Sequence, residues 1–142
     1  MSLLDRVRFL IPLSILLVVS VFVLFYKLEA APLGDWDEGI YAVIAAEMVE
    51  SGDYFHMTLM GESWMEKPLL PFWLEALSFK MFGFTEMAAR FFPALAAIGS
   101  VLLLYGLGRR LFSWYVGFWS AFLFAVSPLF LAFLMARSGD HD

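Results

Sequence analysis

The chain has 142 residues, 62% of them hydrophobic and 16% charged, with a formal net charge of −5 and no cysteine. Soluble domains carry about 45–50% apolar and about 25% charged residues, so composition excludes a water-soluble fold of this size. Nine Lys and Arg against fourteen Asp and Glu offer no basic surface for nucleic acid.

Charge spacing places the membrane. No charged residue occurs from Phe9 to Tyr26, from Phe91 to Gly108, or from Leu111 to Ala136. A helix of roughly 20 mostly apolar residues crosses the hydrocarbon, and backbone satisfaction in lipid makes each stretch helical. The expected class is therefore an all-α integral membrane protein with about three transmembrane helices, over about 9–28, 90–108 and 112–135. Residues 1–142 read as part of one multi-span domain. Arg6 and Arg8 precede the first span, and Arg109 with Arg110 forms the turn between the second and third. Basic residues favour the cytoplasmic side. The N-terminus is then cytoplasmic, and the loop over about 29–89 lies outside, in a multi-pass protein of the plasma (inner) membrane. The first span is longer than a signal peptide's core and lacks an A-x-A site, which favours an uncleaved anchor.

That outer loop reads in three pieces. Asp35 and Glu38 make a helix-start signature, with Asp35 as N-cap and Glu38 as capping-box partner. Ile40, Tyr41, Ile44 and Met48 share one helical face, Glu47 and Glu50 lie away from it, and Ser51-Gly52-Asp53 ends the helix. Tyr54 to Lys67 has no clean period, with a turn signal at Gly61. Pro68 to Phe82 begins with proline at a favoured helix start and closes at Gly83. It is too short to span, and Glu75 and Lys80 interrupt its apolar run. Two amphipathic juxtamembrane helices are the expectation, lying along membrane lipids with Trp36, Trp64, Phe72 and Trp73 at the interface.

Three groups carry candidate chemistry. Asp37 and Glu38 suit a helix N-terminus, where acids gain about 0.3–1 kcal/mol. Asp37 is surplus to the cap, however, and stands where a general base serves. Lys67, in Glu66-Lys67-Pro68, reads either as a solvated salt bridge or as a point charge for a phosphate. It sits beside a helix start that also favours anions. Asp140, His141 and Asp142 read either as a frayed terminus or as metal ligands by type, with no further ligand to judge the spacing.

The order of motifs adds a resemblance. Trp36-Asp37-Glu38-Gly39-Ile40-Tyr41-Ala42, Glu47-Met48, Ser51-Gly52-Asp53 and Gly61-Glu62 come first. Glu66-Lys67-Pro68-Leu69-Leu70, Phe72-Trp73-Leu74, Phe82-Gly83, Glu86, Ala88-Ala89-Arg90 and Ser127-Pro128 follow. Together, from about Leu33 onward, they resemble the start of a GT-C type integral membrane glycosyltransferase that uses polyprenyl-phosphate sugars. The similarity is to the group of protein mannosyltransferases and aminoarabinose (lipid A) transferases.

The resemblance implies inverting transfer of a sugar from a polyprenyl-phosphate donor to a protein, lipid or glycan acceptor on the outer face. It implies Asp37 as the essential acid of the first loop, with Glu38 completing the pair. Lys67 would contact the donor phosphate, with Tyr41 and Glu66 lining the same cavity. A second acidic residue after the third span corresponds to Asp140 or Asp142. No cofactor is demanded, and a divalent metal is compatible. Family members are several times longer, so the resemblance implies an N-terminal portion, inactive alone. The alternative class is a non-catalytic accessory subunit that binds polyprenyl lipid or scaffolds a complex.

Overall fold

The computed structural model describes residues 3–26, 28–29, 32–34 and 37–128. The element order is α1 (Leu3–Phe25), α2 (Asp37–Ser51), β1 (Thr58–Leu59), β2 (Glu62–Ser63), α3 (Leu69–Phe82), α4 (Glu86–Leu111) and α5 (Trp114–Ala125). The chain is mostly helical. Among the described residues, α4 is the one helix both long and apolar enough to cross a membrane, while Phe9–Phe25 and Trp114–Ala125 are shorter apolar helices. The chain divides into two compact units, 1–26 with 94–135 and 27–93 with 136–142.

In the first unit, α1 packs on α5 and on α4 from Ala94 onward. The inner stripe of α4 is Ala94, Ala97, Ile98, Val101 and Tyr105, at helical spacing and buried. Leu24 packs on the first three, and Leu16 on Val101 and Tyr105 together with Ala121 and Ala125 of α5. The Tyr105 hydroxyl donates to the Phe9 carbonyl at 3.4 Å. Small residues let backbones approach closely, since apolar helices in lipid gain little from hydrophobicity alone. A Cβ on Gly108 would stand 2.6 Å from the Gly117 Cα, and one on Gly117 would stand 2.6 Å from the Tyr105 carbonyl oxygen. Arg109 and Arg110 lie in the last turn of α4 rather than in the turn itself, where cations complement the helix dipole. The Ser113 hydroxyl caps α5 by accepting from the Val116 amide at 3.2 Å.

The second unit holds α2, the β1–β2 hairpin, α3 and the start of α4. The all-α expectation gives way here, because Thr58 and Leu59 pair antiparallel with Ser63 and Glu62. The turn residues Met60 and Gly61 have φ of 55° and 81°, the double positive φ of a tight hairpin turn. Gly61 was legible as a turn. The strands were not, because two residues show no alternation.

The expected face of α2 forms as read. Ile44 and Met48 are buried with Met57 and Phe72, and Ile40, Tyr41, Trp64 and Leu69 pack around them. A second face, however, is also covered. Ala42 and Ala45 pack against Ala76 and Phe79 of α3 and Ala88 and Ala89 of α4. The helix is thus covered on two faces rather than the one expected, while Asp37, Val43 and Glu50 stay exposed. Alanine registers weakly as apolar, yet permits the closest helix approach. The Gly83 amide closes α3 by donating to the Phe79 carbonyl at 2.8 Å. The Thr85 hydroxyl starts α4 at Glu86, earlier than the expected 90, by accepting from the Ala88 amide.

Candidate active site

The start of α2 is held by one arginine. Arg90 Nε donates to Glu38 Oε1 at 2.6 Å, and its Nη2 donates to Oε2 at 3.0 Å. Nη1 and Nη2 also donate to the Leu28 and Pro32 carbonyls at 2.8 and 3.0 Å. Glu38 Oε2 accepts the Gly34 amide at 2.9 Å. The two side chains are 6% and 13% exposed, so the pair is largely dry. Its forked geometry is what a guanidinium offers a carboxylate. Gly34 also accepts the Gly39 amide at 2.9 Å. A Cβ on Gly39 would stand 2.6 Å from the Gly34 oxygen, so the loop closes onto the helix only with glycine there. Asp35, the expected N-cap, lies outside the described residues.

This clamp separates the acidic pair. Glu38 is engaged by Arg90 and Gly34, whereas Asp37, in the same first turn, is exposed. Among the described residues Asp37 has no ion-pair partner. An exposed carboxylate at the start of a helix is open to a substrate, as a general base has to be.

One turn on, Tyr41 packs edge-on against Phe72, with ring centroids 5.3 Å apart, and against Trp64 at 6.2 Å. Trp64 and Phe72 meet at 5.6 Å. This aromatic group ties the α2 turn after Asp37 to the strand that leads into Glu66 and Lys67, both exposed. Among the described residues neither is ion-paired, so Lys67 does not form the salt bridge that its sequence neighbours suggested. Lys67 stands two residues before α3.

Three groups escaped the sequence reading of the site. Arg90 was quoted as part of a motif but given no role. Glu47, read as pointing away, anchors the hairpin. It accepts from the Thr58 hydroxyl and from the Met60 amide at 2.7 Å. The Thr58 hydrogen bond first, with the Met60 and Gly61 amides, holds the Glu47 carboxyl below the usual carboxylate range. Glu75, seen only as an interruption, is half-buried on α3. Burial foremost, with the nearby Glu38 charge, pushes its carboxyl up to about 8. An isolated charge in an otherwise apolar run was the available signal for both Glu75 and Arg90.

Asp140 and Asp142 lie outside the described residues. Among the described residues, no group of three or more His, Cys, Asp and Glu is arranged to hold a metal.

Comparison with known proteins supplies a family for the chain. The pattern of the family described as dolichyl-phosphate-mannose-protein mannosyltransferase matches residues 66–141. An undecaprenyl phosphate-alpha-4-amino-4-deoxy-L-arabinose arabinosyl transferase from Aeromonas salmonicida is 40% identical over 85 residues, covering 58% of this chain and 16% of the relative. A similarly named transferase from Pseudomonas fluorescens is 40% identical over 99 residues, covering 68% of this chain and 17% of the relative. The crystal structure of ArnT from Cupriavidus metallidurans bound to undecaprenyl phosphate matches with a TM-score of 0.80 and 25% identity. That match covers 86% of this chain and 23% of ArnT. The chain thus spans about a fifth of the length of these relatives. It belongs to the dolichyl-phosphate-mannose-protein mannosyltransferase family of membrane glycosyltransferases.

Proposed function

We propose that the protein transfers a glycosyl group, with inversion, from a polyprenyl-phosphate-linked sugar to an acceptor on the outer face of the membrane. These 142 residues would carry the acidic half of the site and the donor's phosphate contact. The observation that carries this reading is the clamped start of α2. Glu38 is locked to Arg90, Asp37 is left exposed beside it, and the Tyr41–Trp64–Phe72 group links that turn to the Lys67 segment. The named relatives act on undecaprenyl-phosphate aminoarabinose, which supports a lipid-phosphate donor.

In the proposed step the acceptor's nucleophilic atom forms a bond to the anomeric carbon as the bond to the phosphate oxygen breaks. Asp37 takes the acceptor's proton, and the lipid phosphate leaves with the bonding pair. A single displacement of this kind inverts the carbon. Lys67 stabilises the charge that grows on the leaving phosphate, most strongly in the transition state. Glu66 and Tyr41 line the cavity, and Asp140 or Asp142 supplies the second acid. The arrangement assumes three spans oriented by the arginines, in the plasma membrane. The outward face of α3, with exposed Leu70, Trp73, Leu77 and Met81, suits the lipid interface.

The test is Asp37→Asn and Lys67→Ala in the full protein, assayed in membranes. Sugar transfer should fall by about 100-fold or more for each variant, as expected when a proton acceptor or a transition-state charge is removed. Transfer within twofold of wild type in both would overturn the reading.

A further inference from the structure

The charged residues of the first unit are Asp5, Arg6, Arg8, Arg109 and Arg110, and all lie where α1 begins or α4 ends. Phe9 joins those two ends. Its ring stacks on Tyr105 at 6.3 Å and lies 4.6 Å from the Arg109 guanidinium. Packing on an aromatic face holds the guanidinium in place. Yet among the described residues Arg109 has neither an ion-pair nor a hydrogen-bond partner, and its Nη1 is also shut off from water. A donor that has lost its hydration with no acceptor in return calls for an explanation. The side chain as a whole is only half-buried, so a ligand can reach the edge of its fork.

The setting narrows what that acceptor is. α4 is long and apolar enough to cross a membrane, which puts its last turn at headgroup depth. Trp114 and Tyr115 follow at once and are exposed, as aromatic rings are at that depth. Leu103, Leu107 and Leu111, one turn apart, form an exposed apolar stripe on α4 that runs up to Arg110. A soluble anion would use the arginines alone. A phospholipid would use both features, with its phosphate on the guanidinium fork and an acyl chain along the leucines. The excess of arginine over the single acid at this end selects an anionic lipid.

We propose that the corner where α1 begins and α4 ends is a binding site for an anionic phospholipid, whose phosphate oxygens accept from Arg109 and Arg110. The lipid is a resident of the fold rather than the sugar donor, and the inference stands apart from the glycosyl-transfer reading.

The test uses the full protein, reconstituted in nanodiscs of equal phosphatidylglycerol and phosphatidylcholine. Native mass spectrometry then counts the lipids retained after detergent extraction. Wild type should keep phosphatidylglycerol in clear preference to phosphatidylcholine. Arg109→Gln should lower that preference about fivefold, the contribution of one basic side chain at an anionic surface. Arg109→Lys should lower it less, because a point charge remains but the fork is gone. Lys80→Gln, which removes a cation from the second unit, should leave it within about twofold, and excess inorganic phosphate should not displace the lipid.

Equal retention of the two lipids by wild type would overturn the proposal without recourse to any variant. So would an unchanged preference in Arg109→Gln, or a loss as large in Lys80→Gln, which would mean attraction by overall charge. Displacement of the lipid by inorganic phosphate would reduce the corner to a simple anion site and overturn it equally.

Discussion

The two units of this chain are built by different means. The first is cemented by surface shape: alanines and glycines on α4 and α5 let backbones touch, and its described interior holds almost no charge. The second holds many of the acidic residues and is assembled around a salt bridge, a hairpin anchored by a carboxylate, and an aromatic trio. The contrast shows where freedom to evolve a reaction lies. A shape-packed unit tolerates little polarity, whereas a unit built on directional polar contacts can hold one carboxylate still and leave its neighbour exposed.

The difference can be broken most forcefully at Arg90. Arg90→Ala leaves Glu38 poorly solvated and unpaired, which should cost about 3–5 kcal/mol. Proteolysis should then open the segment before α2 while the first unit stays protected. Arg90→Lys should recover less than half of that, because a point charge cannot serve Glu38 and two carbonyls at once.

The first unit should fail by a different route. Gly117→Val drives a side chain into the Tyr105 carbonyl and the α4 backbone. The expected loss is about 1–3 kcal/mol, read as a lower thermal midpoint in detergent that is independent of pH and salt.

Smallest is Glu47→Gln, at about 0.5–1.5 kcal/mol, confined to the hairpin and visible as faster amide exchange at Met60. Because the folded carboxyl lies below its usual value of 4.5, this contribution is present above that value and fades as pH falls through the lowered one. Exchange in wild type and variant should therefore converge in acid.

Much of the fold was legible because apolar, uncharged runs read as helices and because Gly52, Pro68 and Gly83 mark helix ends. The apolar face of α2 followed from Ile40, Tyr41, Ile44 and Met48. Its second face did not, since Ala42 and Ala45 contribute by being small rather than greasy. The hairpin was hidden because strands of two residues show no alternation, and its anchor Glu47 lies eleven residues before Thr58. At the site, Asp37 and Lys67 stood out as charges surplus to local structure. The different surroundings of Asp37 and Glu38 could not be read from adjacent letters, because the partner that divides them is 52 residues away.

That distance also has a consequence for synthesis. Arg90 donates to the Leu28 carbonyl across 62 residues, so the segment before α2 cannot take its final path until the start of α4 has been made. A nascent chain ending before Arg90 carries Glu38 without its counter-ion, and contacts of such long range form late. The acidic turn thus sets only once the helix that bears its arginine has arrived.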